Sequence, residues 1–364
     1  MMRVLAHPAF ANRERNPYNA LLYEHLADAG VDVREFTRDA LLRGRYDVWH
    51  MHWPEGSINH RGVAHAVRKS LALLALVWLA RRRGTRIVWT VHNLSSHDRR
   101  FPRIEGWFWR GFVRQLDGVI HLSRAGQREA LRRYPALRRA AHFVIPHGHY
   151  RAAYPNDVTR AEARERLGIA PDARVVAFVG QVRAYKNVPE LVVAARALPD
   201  ADVVALVCGK PASAALGDEL RALAGDDARV RLYLAPIAAT EMQLFVNAAD
   251  LVVLPYRDVL NSGAALLALS FDRPVLVPNA GALAELQQLV GPGWVRTYDG
   301  PVTAQELDHA LAWSRDQRAA AGGRAPLDAL DWEVLARETA SAYARVVARR
   351  DRRAAVERLA PEVP

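Results

Sequence analysis

A glycine followed by two cations stands where a predicted strand gives way to a helix. The apolar run 174–180 ends at Gly180, and Arg183 and Lys186 follow before the helical pattern begins. A glycine lets a diphosphate approach the backbone, and the two side chains supply positive charge against it. The spacing is neither that of a P-loop nor that of the triple-glycine Rossmann turn. This turn predicts diphosphate binding, with a solvated loop carrying two cations as the alternative.

A second turn of this kind follows the predicted strand 251–254. Asn261 or Ser262 is typical of a helix N-cap, and the first amides after a cap have no intrahelical partner. Such amides bind an anion without a charged side chain. A capped helix without a ligand accounts for the serine, but not for the small residues that keep the approach open. We therefore predict diphosphate contacts and a cleft lining from Asn261, Ser262, Gly263, Ala264, Tyr256 and Gly281.

Histidines and carboxylates follow two predicted strands in the first half of the chain, within 50–56 and 89–98. Histidine titrates near neutral pH, which suits acid–base or phosphate-contacting chemistry. Because His50 and His52 alternate faces of a strand, they are not a ready metal pair. The alternative is that the histidines pair structurally at strand ends. The catalytic candidates are Glu55, Asp98, His52 and His97, and the cleft candidates are Trp53, His92 and Asn93.

The elements that must position these residues are short apolar strands alternating with longer helical patterns. This alternation predicts an α/β protein with parallel sheets covered by helices on both faces. Ligands bind at the carboxyl ends of such strands, so we expect two Rossmann-like domains facing a cleft. The predicted domains are 1–150 and 151–330, followed by a helix over 331–350 and a disordered tail over 351–364.

Composition is that of a soluble globular protein, but the two halves differ in charge. The lone cysteine among 364 residues excludes a disulfide framework and a cysteine-based zinc cluster. Residues 1–150 hold 25 Lys and Arg against 12 Asp and Glu, whereas the remainder holds 25 against 27. A basic half suits nucleic acid, an anionic membrane or a phosphorylated ligand, with an arginine-rich background as the alternative. The start of the chain lacks the apolar core of a signal peptide, which predicts a cytoplasmic protein.

Aromatic and basic residues are interleaved in the first half. The apolar run 71–80 lies between Arg68-Lys69 and three arginines, and it is shorter than the roughly 20 residues that span a bilayer. Residues 107–112 are rich in Trp and Phe and lie among further arginines. Tryptophan and arginine around apolar surface are typical of helices that lie on anionic lipid. We therefore expect peripheral membrane contact, with ordinary buried helices as the alternative.

Three segments together resemble the donor domain of GT-B glycosyltransferases: Gly180 with Lys186 six residues later, the run 249–256, and the run 268–275. The likeness is to the large retaining superfamily and its bacterial exopolysaccharide and mannosyltransferase-like members, and it covers nearly the whole chain. It implies that Lys186 and the helix opened by Ser262 hold a donor diphosphate, and that the last helix crosses back to the N-terminal domain. It also implies that the loop holding Asn16 approaches the cleft, with a plain surface loop as the alternative.

One departure from the retaining pattern bears on mechanism. The usual pair of glutamates falls on Val259 and Leu267, which carry no charge. An inverting transfer needs a base from the first half, where Glu55 and Asp98 lead, whereas retention needs none. The sequence leaves both mechanisms open.

The resemblance implies a metal-independent transferase without a cofactor, which moves a hexose from a nucleotide sugar to a glycan or polyprenyl-linked acceptor. Mannose from GDP-mannose is the first expectation, because the likeness leans toward bacterial mannosyltransferases of polysaccharide assembly. A UDP-hexose donor and a non-catalytic basic binding protein are the alternatives. No helix-turn-helix, zinc-finger or RNP pattern favours nucleic acid as a partner.

Overall fold

The chain divides into two α/β units in this computed structural model, which describes residues 1–59, 62–96, 100–257, 259–320 and 323–359. The first unit comprises Met1–Gly148 and Leu330–Pro364, and the second comprises His149–Ala329. The predicted boundary at residue 150 lies within two residues of the observed one. The return of the last segment to the first unit confirms the expected crossing of the C-terminal helix.

The sheet of the first unit contains β1 (Met2–His7), β2 (Val31–Glu35), β3 (Val48–Met51), β4 (Arg86–Val91), β5 (Gly118–His121) and β6 (Ala141–Val144). The strands are parallel and lie in the order β2-β1-β3-β4-β5-β6. Their register places His50 between Ala6 of β1 and Val88 of β4. Strands β3 and β5 are buried along their whole length, as expected of a parallel sheet with helices on both faces.

The helices of the first half are α1 (Tyr18–Asp28), α2 (Arg38–Arg43), α3 (Val63–Arg82), α4 (Pro102–Val113) and α5 (Arg124–Arg133). Helix α2 was not predicted, because its six residues are too short for a periodic signal; Thr37 caps it by accepting from the Ala40 amide at 3.0 Å. Helices α3 and α4 pack closely, since a Cβ atom on Gly111 would lie 3.1 Å from a methyl carbon of Leu74.

Helix α3 has a mixed environment. By length and composition alone this helix is apolar enough to cross a membrane. Only 28% of its most apolar window is buried in the protein. Ala66, Leu73 and Val77 form its buried face, while Leu71 and Trp78 are 51% and 53% exposed. The ten-residue apolar run in the sequence therefore understates the apolar length of this helix.

The sheet of the second unit contains β7 (Arg174–Val179), β8 (Val203–Cys208), β9 (Val230–Tyr233), β10 (Leu251–Val253), β11 (Val275–Pro278) and β12 (Val295–Tyr298). These parallel strands lie in the order β12-β11-β10-β7-β8-β9. Strand β8 is wholly buried. At the amino end of β7, the buried Asp250 carboxylate accepts a hydrogen bond from the Val175 amide at 2.8 Å and pairs with Arg164 at 3.0 Å. These contacts fix the amino end of the central strand.

The helices of the second unit are α6 (Arg160–Arg166), α7 (Val188–Arg196), α8 (Ala214–Ala224), α9 (Met242–Ala248), α10 (Gly263–Ser270), α11 (Gly281–Val290) and α12 (Ala304–Ala320). Helix α6 was not predicted, although its start carries a recognisable sequence signature. Thr159 and Glu162 form a capping box there, each side chain bonding the other residue's amide.

The last helix, α13 (Trp332–Leu359), runs beyond the predicted end at residue 350. The tail predicted to be disordered from 351 is thus helical up to Leu359, and residues 360–364 lie outside the described chain. Trp332 packs on the backbone of Gly148, where a Cβ atom would lie 2.5 Å from the indole ring. Tyr343 is fully buried, so α13 is an integral part of the first unit.

Candidate active site

The turn after β7 brings the predicted glycine and lysine together. Gly180 has a φ of +132°, a conformation that residues with a side chain rarely adopt. A Cβ atom on it would lie 3.4 Å from Lys186 Nζ. Lys186 ends a short 3-10 turn, and Asn187, at a φ of +53°, leads directly into α7. The glycine thus leaves its backbone open beside the ammonium group.

The ammonium group of Lys186 faces two aromatic rings rather than a carboxylate. Its Nζ lies 5.6 Å from the ring centroid of Phe178 and 5.5 Å from that of Tyr256. Within the described part of the chain, this group has no hydrogen bond or ion pair. Burial, followed by repulsion from Arg183, lowers the pKa of Lys186 from 10.5 to about 8. A cation held in this way is stabilised by an anionic ligand.

The turn after β10 lies against the turn after β7. The Arg257 amide donates to the Tyr185 carbonyl at 2.9 Å, and the rings of Tyr185 and Tyr256 are 6.1 Å apart. Glu190 accepts from the Asn187 side chain at 2.6 Å and lies 3.8 Å from the Arg257 guanidinium. This bonding holds the Tyr256 ring in place over the lysine.

The start of α10 supplies the predicted amides on the same side of the unit. Ser262 caps the helix by accepting from the Ala265 amide at 3.3 Å, and its hydroxyl also bonds the phenol of Tyr256. The amides of Gly263 and Ala264 belong to the first helical turn, where no intrahelical acceptor exists. Because Tyr256 touches both Lys186 and the cap, the cation and these amides lie near one another.

The turn after β11 closes the same edge. Gly281 has a φ of +55°, and a Cβ atom on it would lie 3.1 Å from the Val259 carbonyl oxygen. Asn261 is half-buried beside them. Leu267 is buried within α10. The two positions that hold glutamates in the retaining pattern thus carry hydrocarbon side chains.

Arg183, the second predicted cation, lies at the edge of this site. Its Nε donates to the side-chain oxygen of Gln181 at 3.0 Å, and its charge helps to lower the pKa of Lys186. Gly180, Lys186, Ser262 and Gly281 thus follow the carboxyl ends of three neighbouring strands, β7, β10 and β11. A glycine, a cation and free amides at one sheet edge are the features that bind a diphosphate.

The histidines of the first unit form a buried chain of hydrogen bonds. The Tyr23 hydroxyl lies 2.8 Å from His50 Nδ1 and 2.6 Å from His52 Nε2. The Tyr343 hydroxyl, from α13, lies 2.6 Å from the same His50 nitrogen. His52 Nδ1 lies 2.9 Å from His92 Nε2. The alternative of structural pairing therefore describes these side chains best.

Burial decides the charge of the histidines in this chain of hydrogen bonds. It lowers the pKa of His50 from 6.5 to about 3, and it places the pKa values of His52 and His92 well below 6.5. Both ring nitrogens of His52 already have protein partners, so the side chain has no free lone pair for a substrate hydroxyl. Among the described residues, no three His, Cys, Asp or Glu side chains are grouped to hold a metal ion.

Glu55 stands apart from the other acidic residues of the first unit. It lies in a 3-10 turn after β3, is only 6% exposed, and accepts from Asn93 Nδ2 at 3.0 Å. Burial raises the pKa of Glu55 from 4.5 to about 7, against the opposing effect of the Asn93 bond. Beside it, Trp53 stacks on His92 with a ring separation of 4.4 Å. A carboxyl group with a pKa near neutrality suits general base catalysis.

The remaining first-half predictions have different outcomes. Asn16 accepts from the Tyr18 amide at 3.1 Å and so orders the start of α1. The loop before it is held by Glu35, whose carboxylate accepts from the Phe10 amide at 2.7 Å. His97 and Asp98 lie outside the described residues, so their catalytic roles stay predictions.

Sequence reasoning missed the tyrosines that organise the histidine chain. Tyr18 places its ring 5.8 Å from His52, 4.9 Å from His92 and 5.2 Å from Trp332. Tyr343 lies 293 positions from His50 along the chain. No local pattern marks such a contact, because it forms only when α13 packs on the first sheet.

Proteins of known structure share this architecture. No family model matches the chain. The sucrose-phosphate synthase of Thermosynechococcus elongatus superposes with a TM-score of 0.62 at 16% identity, covering 99% of this chain and all of that one. WaaG, a glycosyltransferase of lipopolysaccharide biosynthesis, gives a TM-score of 0.61 at 14% identity, covering 94% of this chain and 98% of that one. The two parallel α/β units thus have the GT-B fold of these proteins.

A relative with similar sequence shows to which family of glycosyltransferases the chain belongs. The GDP-mannose:glycolipid 4-beta-D-mannosyltransferase of Xanthomonas campestris pv. campestris is 35% identical over 323 residues, which are 88% of this chain and 86% of that enzyme. The D-inositol 3-phosphate glycosyltransferase of Salinispora arenicola is 28% identical over 78% of this chain and 64% of its own length. The chain belongs to the glycosyltransferase family that contains the Xanthomonas mannosyltransferase. This membership favours an enzyme over a non-catalytic binding protein.

Proposed function

We propose that this enzyme transfers a mannosyl group from GDP-mannose to the saccharide of a glycolipid. The name of the Xanthomonas relative, and its likeness over 88% of this chain, support this donor and this acceptor class. The observation that carries the proposal is the Lys186 ammonium group, which lies beside an open glycine backbone and faces aromatic rings instead of an acidic partner. Such a group needs an anion, and a nucleotide diphosphate supplies one.

In this proposal the second unit stabilises the departing GDP. Lys186 neutralises charge on the diphosphate, Arg183 assists from the edge, and the amides of Gly263 and Ala264 bind the distal phosphate. Preorganised donors of this kind act where negative charge develops as the glycosidic bond breaks. We also propose that no metal ion or cofactor is needed, because the cation and the amides supply the positive charge. Transfer that is unchanged by EDTA would support this point.

We propose that the transfer proceeds with inversion. GDP-mannose is an α-mannosyl diphosphate, so the β-mannoside named for the relative requires attack from the opposite face. The hydrocarbon side chains of Val259 and Leu267 support the same view, since they cannot play the part of the retaining glutamates. The acceptor hydroxyl attacks the anomeric carbon, Glu55 takes its proton, and the carbon–oxygen bond to phosphate breaks with its electrons passing to GDP. A base with a pKa near 7 is half ionised at neutral pH and suits this step.

A ligand panel tests the donor assignment. GDP should raise the melting temperature of the protein more than UDP, ADP or dTDP does, and Lys186→Ala should abolish that rise. Lys210→Ala is the matched control, because Lys210 is a solvent-exposed lysine of the same unit. Stabilisation by UDP alone would replace the donor with a UDP-hexose. An unchanged response of Lys186→Ala to GDP would refute the phosphate site.

A transfer assay tests the chemistry. With GDP-mannose and a lipid-linked saccharide, the anomeric proton coupling of the product should report a β-mannoside. Glu55→Gln should lower kcat by about 10²–10⁴-fold, the range for loss of a general base, while its melting response to GDP stays that of the parent. An α-linked product would refute inversion, and full activity of Glu55→Gln would refute the base.

We further propose that the enzyme lies on the inner face of the cytoplasmic membrane through α3 and α4. Trp78 is 53% and Trp107 39% exposed, and the Arg82 guanidinium lies over the Trp78 ring at 5.0 Å. Arg103 and Arg110 are exposed on the same face of α4 as Trp107, since residues three or four apart share a helix face. Exposed tryptophans among arginines suit the interface of an anionic bilayer.

Vesicle sedimentation tests this contact. The protein should sediment with vesicles that contain phosphatidylglycerol and not with phosphatidylcholine alone, and Trp78→Ser combined with Trp107→Ser should weaken sedimentation. Leu289→Ser is the matched control, because Leu289 is 45% exposed in the second unit. Equal sedimentation with both vesicle types would refute the proposal.

A further inference from the structure

The first unit contains a groove that the donor site and Glu55 do not use. Its volume is about 290 Å³, and it lies between the ends of β1 and β2, the 3-10 turn that holds Glu55, and one face of α3. Phe36, Trp53, Leu73 and Leu76 contribute apolar walls, while Lys69 and Arg38 contribute charge. Small-molecule sites begin at roughly 300 Å³, so this groove suits part of a ligand rather than a whole lipid.

The aromatic walls of the groove are fixed by their neighbours. The Phe36 ring is stacked between His7 at 4.4 Å and Trp49 at 4.8 Å. The Trp53 ring is stacked on His92 at 4.4 Å. The Phe36 ring is held on both faces and does not collapse into the adjacent space, so this part of the apolar wall is formed before any ligand arrives.

The two cations of the groove are not engaged elsewhere. Neither Lys69 nor Arg38 has a hydrogen bond or an ion pair with any residue that the structure describes. On α3, Lys69 and Leu76 are seven residues apart, which is about 10 Å along a helix. The lining thus combines two cations with hydrocarbon side chains, and this combination matches an anionic head joined to a hydrocarbon chain.

The groove is continuous with the proposed catalytic base. Pro54 and Gly56, the neighbours of Glu55 in its turn, both line it. Trp53 lines it as well and touches His92. A saccharide attached to a head group in the groove would begin next to the turn that carries the base.

We propose that this groove binds the diphosphate and the first carbons of the prenyl chain of a prenyl-diphosphate-linked acceptor. Lys69 and Arg38 pair with the diphosphate, and Leu73, Leu76 and Phe36 contact the chain. The inference rests on the proposed function, because it assigns to the glycolipid acceptor a site on this chain. It predicts that the enzyme recognises the lipid carrier and not only the saccharide.

Farnesyl diphosphate is the probe, titrated calorimetrically into the full-length protein saturated with GDP so that the donor site is filled. Binding should weaken at least tenfold in Lys69→Ala and be lost in Leu76→Trp, whose larger side chain fills the groove. Arg68→Ala is the matched control, since Arg68 is an exposed neighbour on the same helix that is not among the residues lining the groove. Inorganic diphosphate and farnesol should each bind at least tenfold more weakly than farnesyl diphosphate.

Three results would overturn the inference: unchanged binding in both Lys69→Ala and Leu76→Trp, inorganic diphosphate binding as tightly as farnesyl diphosphate, or displacement of the probe by short-chain phosphatidylglycerol at equal concentration. The last result would make the groove a phospholipid site. The melting response to GDP separates these outcomes from a failure of the proposed function. A parent protein that ignores GDP contradicts the donor assignment, whereas variants that keep the GDP response but bind the probe normally contradict the groove alone.

Discussion

The Glu55→Gln variant should be more stable than the parent protein, by an amount that grows as the pH rises, although the substitution removes the proposed base. Burial raises the pKa of Glu55 from 4.5 to about 7, so the folded state holds its proton more tightly than the unfolded chain does. Between these two pH values folding takes up a proton, and stability therefore falls as the pH rises. Glutamine keeps the shape and an oxygen for the Asn93 donor without ever ionising.

The size of the effect follows from the shift. One pKa unit corresponds to about 1.4 kcal/mol, so Glu55→Gln should gain about 1 kcal/mol of unfolding free energy at pH 5 and about 3 kcal/mol at pH 8. Above pH 8 the gain should level off, because the carboxyl is ionised in both states. A group that ionises in place for catalysis thus costs stability, as functional groups often do.

Urea denaturation followed by tryptophan fluorescence measures this gain, since seven of the nine tryptophans belong to the first unit. Parent and variant should be compared at pH 5, 6, 7 and 8. Glu129→Gln is the control of opposite sign, because the hydrogen bond from Arg132 lowers the pKa of Glu129. It should show no gain that grows with pH. A Glu55→Gln variant whose stability relative to the parent is the same at pH 5 and pH 8 would refute the reasoning.

Three further predictions concern other parts of the structure. Because Lys186 has a pKa of about 8, and only its charged form attracts a diphosphate, the affinity for GDP should fall about tenfold between pH 7 and pH 9. Calorimetry should find that Lys186→Ala binds GDP weakly at both pH values. A parent affinity that does not depend on pH would contradict this prediction. Gly209→Ala should destabilise the protein by about 3 kcal/mol in urea denaturation followed by circular dichroism, because a Cβ atom on Gly209, at a φ of +143°, would lie 2.1 Å from a backbone carbonyl oxygen. Gly168 has a φ of +61° and open space around it, so Gly168→Ala should cost only about 1 kcal/mol. Equal losses of stability in the two variants would count against the steric cause. Tyr343→Phe removes the hydroxyl that bonds His50 at 2.6 Å and should cost about 1 kcal/mol; an unchanged midpoint in urea would show that the bond contributes nothing.

Much of the fold is local in origin, and the sequence predicted it for that reason. Short strands that alternate with longer helices follow from apolar periodicity, and the strands predicted at 174–180 and 251–254 appear as β7 and β10. The short helices α2 and α6 were missed because six or seven residues hold too few periods. Helix α13 was cut short because its charged end has little apolar pattern beyond residue 350.

The grouping of the residues predicted to bind the donor was equally accessible to sequence reasoning. Gly180, Lys186, Ser262 and Gly281 follow the ends of strands, and parallel strands bring their carboxyl ends to one edge. Strand order then decides which turns become neighbours. Because β10 lies between β7 and β11, the turns that hold these four residues lie side by side. The cleft predicted between the two units, and the roles of the residues within it, stay predictions.

What the sequence by itself determined was the order of the elements, the position of each turn and the residue types placed there. What only the tertiary structure decided was the protonation of those residues. His52 and Glu55 look alike as candidates in the sequence, yet burial drives the pKa of His52 far down and that of Glu55 up to about 7. The physical reason is that removing water penalises the charged form of either group, and the extent of that removal depends on contacts such as Tyr343 against His50, which lie far apart along the chain.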